Sequence, residues 1–270
     1  MHRLTAENWK HYRQYGGRPF DCNVCAQRTR AFFDFPDLDL RHEHRIGELR
    51  ETLQCVRCGA TLRQRALASA LLRVATTAIG RPVHTIRDAA NAGFGSLRIL
   101  DTDAFSPISE ELRKLPNYLV TSFVPDRPFN TEIATNHYNI NLERIGFPSD
   151  HFDLVITSDV MEHVREIGEA HREVHRVLKP GGHYVFTVPY DEACATHHHL
   201  VDTSGADDVF LVPPQHHGDP LTGGILAYRV FGRAIHRDLT EIGFEIETLR
   251  VEDPAALIVD GDVFVARKLN

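Results

Sequence analysis

No run of apolar residues in this 270-residue chain approaches the roughly 20 that a membrane-spanning helix requires, so no such helix is expected. The first residues, MHRLTAENWKHYRQYGG, lack the apolar stretch of a secretory signal, and the cytoplasm is the expected compartment. No internal repeat or low-complexity tract interrupts the chain. Cysteine is scarce, with five residues, and four of them fall in two close pairs. What is present is the composition of an ordinary globular protein, 42% hydrophobic and 25% charged, which excludes a largely disordered chain. The length suits one large domain, or a standard domain with a smaller module.

Charge is unevenly spread along the chain, whose net is −7. Residues 1–80 carry 13 basic and 8 acidic side chains, whereas residues 81–270 carry 17 and 29. A basic patch for nucleic acid would therefore lie in the front part, although a solvated surface explains the same excess. The acidic remainder disfavours a large polyanionic partner.

The paired cysteines are Cys22 and Cys25, in CNVC, and Cys55 and Cys58, in CVRC. In a reducing compartment such pairs are not disulfides, and two of them in one small module read as a tetrahedral thiolate metal site. Zinc suits four sulfurs because its filled d shell imposes no geometry of its own. A redox pair, buried thiols and an iron–sulfur cluster are the alternatives. The intervening segment includes AFFDFPDLDL, expected to be extended, and His42 and His44, which are substitute ligands. Cys194 stands alone and is read as incidental.

After the second pair, apolar residues at Leu62, Ala66, Leu67, Ala70, Leu71 and Val74 have helical spacing, and Gly80 and Pro82 end that helix. Strands are expected at 96–103, 117–124, 152–159 and 183–189, with a short helix over ISEELRKL. A second helix is expected from Val164 through Leu178, stopped by the turn Lys179-Pro180-Gly181-Gly182. A third spans 230–243, and two strands, FEIETLRV and DVFVARK, close the chain. This alternation predicts an α/β fold with a doubly wound sheet, whose ligands bind beyond the carboxyl ends of its strands. Two parts are expected: a metal-binding module with its connecting helix at 1–80, and the α/β domain at 81–270, with a His-rich insertion at 191–229.

Gly146-Phe147-Pro148, Phe152-Asp153-Leu154-Val155-Ile156, Ser158-Asp159-Val160-Met161-Glu162-His163-Val164 and Arg176-Val177-Leu178-Lys179-Pro180-Gly181-Gly182 together resemble the class I S-adenosylmethionine-dependent methyltransferases. CVRCGATLRQRAL, PPQHHGDPL and the segment 231–244 are similar to one branch of that family, which carries a four-cysteine module. The resemblance implies a Rossmann-like seven-stranded methyltransferase sheet with helices on both faces, and S-adenosylmethionine as cofactor. By this alignment Asp101, Thr102, Asp103, Phe123, Asn141, Leu142 and Asp159 are the cofactor residues. The family's glycine-rich turn is replaced by Asp101-Thr102-Asp103-Ala104-Phe105-Ser106-Pro107, and Gly93 and Gly95 precede the strand. Phe123 stands where an acid usually accepts the ribose hydroxyls, with Asp126 three residues on. Asn141 stands for the Asp that usually contacts the adenine amino group.

The insertion holds His197, His198, His199, His216 and His217. The triplet at 197–199 reads as a solvated loop, as a source of a base, or as part of a second metal site with His216, His217 or Asp219. The preferred substrate-side element is His217-Gly218-Asp219, a base and a carboxylate about a hinge glycine. His163, following the third strand, is the further catalytic candidate, against a purely structural role. Lys179 and its turn are read as structural. The expected activity is methyl transfer to a small-molecule or glycan acceptor. The alternatives are a non-methylating protein on the same fold and, less favoured, an RNA methyltransferase gripping its substrate through the Arg-rich module.

Overall fold

The computed structural model describes residue 10 and residues 13–33, 49–217 and 224–269. His42, His44, Gly218 and Asp219 lie outside these. The chain divides into two units: Met1–Ser96 with Phe105–Pro116 and Leu249–Val263, and Leu97–Ala104 with Asn117–Thr248 and Phe264–Asn270.

In the first unit, strands β1 (Pro19–Asp21), β2 (Arg28–Phe33) and β3 (Leu53–Cys55) form an antiparallel sheet in that order. A helical turn, α1 (Leu49–Thr52), precedes β3. Helix α2 (Leu62–Ile79) starts where Thr61 and Gln64 satisfy each other's backbone N–H groups, a capping box, and ends at Gly80 in the left-handed conformation, φ 78°. Every apolar position expected on its inner face is buried. Helices α3 (Ile86–Asn91) and α4 (Pro107–Leu112) are each opened by a hydroxyl cap, Thr85 and Ser106, and Pro107 sits where its missing N–H costs nothing.

The second unit holds β4 (Ile99–Asp101), β5 (Tyr118–Ser122), β6 (Thr131–Ala134), β7 (His137–Asn139), β8 (Phe152–Ser158) and β9 (Leu178–Thr187). Among the described residues, six two-residue strands between 198 and 230 follow. The long strands β16 (Phe244–Asp253) and β17 (Ile258–Lys268) end the chain, and Phe264–Lys268 of β17 falls in this unit. The sheet has eight strands in the order β16-β17-β9-β8-β4-β5-β7-β6. Pairing is parallel from β9 through β8, β4 and β5 to β7, and antiparallel between β17 and β9 and between β6 and β7. The chain runs from β4 outward to β5 and β7, then returns to place β8 and β9 on β4's other side. The carboxyl ends of β4 and β8 therefore flank the reversal point, where doubly wound sheets bind ligands.

Three expectations are corrected. Seven strands become eight, because the short hairpin strand β6 joins the edge. The helix expected from Val164 begins only at Ile167, as α5 (Ile167–Val177), and a separate 3-10 turn covers Met161–His163. Lys179–Gly182 is not a free turn between helix and strand but the first part of β9. Gly182 is required there, since a Cβ would stand 2.8 Å from the Lys179 carbonyl oxygen and 3.1 Å from that of Asp153.

Helix α6 (Ala234–Ile242) ends at Gly243, also left-handed. Ala170, Val174 and Val177 of α5 and Ile235 and Leu239 of α6 join Tyr184, Phe186, Phe244 and Phe264 in the core. No helix among the described residues is long and apolar enough to cross a membrane.

Candidate functional site

β4 ends at Asp101, only 1% exposed. Its Oδ2 accepts a hydrogen bond from the Tyr118 hydroxyl at 2.7 Å, and its Oδ1 accepts one from the Asp103 N–H at 2.9 Å. Burial, followed by the charge of Asp103, raises the Asp101 carboxyl to about 7. No residue from Thr102 to Pro107 has a positive φ. The turn that lacks glycine therefore does not ask for glycine's conformations: the Asp101 carboxylate shapes it instead. Thr102 Oγ1, at this strand end, is buried without a hydrogen-bond partner, and so is Thr187 Oγ1 at the end of β9.

Beyond β5, Phe123 is 46% exposed and stacks on Phe129 at 5.3 Å between centroids. The loop carrying them is held by one buried side chain, Asn139. Its Oδ1 accepts from the Val124 N–H at 2.8 Å, and its Nδ2 donates to the carbonyls of Val124, Arg127 and Pro128 at 2.9–3.1 Å. Asn141 is engaged locally, its Oδ1 accepting from the Glu143 N–H at 2.9 Å. Leu142 is buried in the core.

At the end of β8, Asp159 takes a positive φ of 51° and its N–H bonds to the Thr187 carbonyl. Glu162 is buried, with His163 Nε2 3.7 Å from its Oε1. The other ring nitrogen of His163, Nδ1, donates to the Leu226 carbonyl at 2.8 Å, so it must carry the hydrogen. The Tyr228 N–H bonds to the Glu162 carbonyl. His163 and Glu162 thus anchor the returning part of the His-rich segment.

That segment forms three small antiparallel ladders: His198–His199 with Arg229–Val230, Val201–Asp202 with Val209–Phe210, and His216–His217 with Ile225–Leu226. His198, His199 and His216 are exposed. His197 is not solvated: its Nδ1 accepts from the Gly232 N–H at 3.2 Å, leaving Nε2 to donate to Asp238 at 2.8 Å. Among the described residues these histidines form no cluster able to hold a metal.

Cys22, Cys25, Cys55 and Cys58 do. Their sulfurs all lie within 4.8 Å of one another, and all four cysteines are free. The Cys22–Cys58 sulfur separation is 3.8 Å. A tetrahedron built on zinc–sulfur bonds of about 2.3 Å has edges of about 3.8 Å, so the donor set fits zinc. Hydrogen bonds from the neighbouring thiols, Cys22 first, push Cys55 strongly down. Its hydrogen bond with Cys55, followed by burial, pushes Cys22 up to about 12, and Cys58 is pushed higher still by Cys22, Cys55 and burial.

Sequence reasoning passed over Thr187, Glu162, Asn139 and the buried Arg65 beside the cysteines. Glu162 lies inside the quoted motif, whereas the partners of the others are distant in sequence.

Residues 122–186 match the family described as a methyltransferase domain. Over 102 residues the chain is 33% identical to a ubiquinone/menaquinone biosynthesis C-methyltransferase of Cupriavidus necator, covering 38% of this chain and 42% of that protein. The match thus spans less than half the length of that relative. An S-adenosylmethionine-dependent methyltransferase from Mesorhizobium loti aligns at 20% identity and a TM-score of 0.40, covering 68% of this chain and 100% of that one. A second such structure, from Listeria monocytogenes, aligns at 15% and 0.42, covering 66% and 93%. The matched segment includes residues 146–182, which carry the class I resemblance, and bears that part of it out: this chain is similar to the class I S-adenosylmethionine-dependent methyltransferases.

Proposed function

We propose that this chain is an S-adenosylmethionine-dependent methyltransferase with a small-molecule or glycan acceptor and a structural zinc in its four-cysteine module. The observation that carries the reading is the reversal of strand order at β4 and β8. It sets the ends of both strands, Asp101–Asp103 and Ser158–Asp159, side by side at the edge where doubly wound sheets bind ligands, and β8 lies within the segment matching the methyltransferase domain. The unpartnered hydroxyls of Thr102 and Thr187 at these strand ends supply polar atoms that a ligand would satisfy.

When bound, the cofactor supplies a methyl group on a sulfonium sulfur, ready for in-line displacement. Thr102, Asp103, Phe123 and Asp159 are the residues proposed to hold it. Asp101 acts through them, because one of its oxygens accepts from the Asp103 N–H of the turn and the other from Tyr118 of β5. Asn141, bonded within its own turn, and Leu142, in the core, complete the proposed cofactor set. The chain's remaining work is to hold the acceptor in line and take its proton. His217 and Asp219 are the proposed source of the base. His163, tied to Leu226, positions the strand that pairs with His217. The acidic balance beyond residue 80 argues against a polyanionic acceptor.

Calorimetric titration of folded, zinc-replete protein tests the reading. Micromolar binding of S-adenosylmethionine, weakened at least fivefold by Asp103→Ala or Phe123→Ala, is the expected result. Absence of both heat and thermal shift at millimolar ligand would overturn it and leave a non-methylating protein on this fold.

A further inference from the structure

Arg65 is the largest fully buried side chain of the first unit, 0% exposed. Its guanidinium donates only to carbonyls. Nη1 reaches Leu53 at 3.1 Å and Ala60 at 2.7 Å, Nε reaches Ala256 at 3.0 Å, and Nη2 reaches Leu257 at 3.0 Å. Its face lies 4.8 Å from the centre of the Phe20 ring. Hydrogen bonds to carbonyls satisfy four of its five N–H groups, but among the described residues no carboxylate pairs with its charge. A buried cation of this kind is stable only beside a buried anion. Two of the carbonyls it grips, those of Leu53 and Ala60, bracket the Cys55–Cys58 pair, and Asn23, between Cys22 and Cys25, donates to the Arg65 carbonyl at 2.8 Å; the acidic groups that act on its charge are Cys22, Cys55 and Cys58. Four thiolates around a divalent metal leave two negative charges in the same interior, so each partner lacks what the other has.

Leu257 has φ of 52°, a left-handed conformation that a branched side chain adopts only when its surroundings hold it there. Arg65 grips the carbonyls of the two successive peptide units, Ala256 and Leu257, that flank this residue. The amides of Ala255 and Ala256 bond to Asp253 Oδ1 at 2.9 and 3.1 Å, and the Ala255 carbonyl accepts from the Asp21 N–H, next to Cys22, at 2.8 Å. The strained turn is therefore fastened to the cysteine module at two points.

We infer that Arg65 is the counter-cation of a metal–thiolate centre, and that its fork makes the order of the 253–258 turn depend on metal occupancy. This rests on the proposal that the four cysteines hold a metal. It assigns Arg65 two separable duties: its charge favours the loaded centre, and its planar fork holds the turn. Lysine keeps the first and loses the second, and methionine, of similar length, loses both.

The experiment combines zinc affinity, measured by competition with a chromophoric chelator, with amide exchange at Ala255 and Ala256 in the full chain. Wild type should bind one zinc. Arg65→Lys should bind zinc within threefold of wild type yet exchange at least tenfold faster at the two amides. Arg65→Met should lose at least tenfold in zinc affinity and exchange faster as well. A folded Arg65→Met chain that binds zinc as wild type does overturns the charge role. Unchanged exchange in Arg65→Lys overturns the fork's role. If Arg65→Met does not fold, wild type decides the coupling alone: chelating its zinc should speed exchange at Ala255 and Ala256 at least tenfold while β8 stays protected. No change at the turn overturns the inference. A wild-type chain that binds no zinc removes the metal proposal itself, which is a distinguishable result.

Discussion

Asp101 shows how much one side chain at a strand end can decide. With its carboxyl raised to about 7 by burial, the folded chain binds a proton that the unfolded chain, titrating near 3.8, has already released. Stability from this group is complete below pH 4 and is lost as pH rises toward 7, by roughly 4 kcal/mol at most. Asp101→Asn keeps an oxygen for one donor and carries no charge. The difference in unfolding free energy between Asp101→Asn and wild type should therefore shift in the variant's favour between pH 4 and 8, and urea titrations at four pH values would measure it. A flat difference would mean that the carboxylate is stabilised in place. The sequence placed Asp101 at the strand end but could not say that both oxygens turn inward, because Tyr118 enters from the neighbouring strand.

At the scale of elements, what the sequence revealed depended on whether a segment's partners are near in the chain. FDLVITS reads as a buried parallel strand, and β8 is buried along almost its whole length. The helix α2 carries its own start and stop. Thr61→Ala removes one half of the capping box and should cost about 1 kcal/mol in chemical denaturation. The helix expected from Val164 fails for a reason no local pattern holds. Arg229, buried some sixty residues away, donates to the carbonyls of Met161, Val164 and Arg165, and the chain stays open to meet it. The Lys-Pro-Gly-Gly segment was legible as a helix stop but not as part of β9. Gly182→Ala should destabilise by about 1–3 kcal/mol, since two backbone oxygens would have to move.

For the whole molecule, the α/β class and the four-cysteine cluster were both legible, the first from alternation of elements and the second from cysteine spacing. The eighth strand, and the dependence of the module on residues 256 and 257, were not. Small metal modules draw on the order of 10 kcal/mol from zinc, and a third of that would move the melting temperature by roughly 10 °C. Chelation at neutral pH should produce a fall of that size in calorimetry, and zinc alone should restore it. Acid should act in the same direction, because protons compete for the thiolates. Finally, a sheet that ended at β7 would offer a row of unpaired backbone groups to any other molecule. β6 covers that row with a strand of four residues that bears Glu132 and slips register between Glu132 and Ala134. A short, kinked, charged border is a poor template for a further strand, so the hairpin the sequence did not announce is what keeps one copy's sheet from growing into the next.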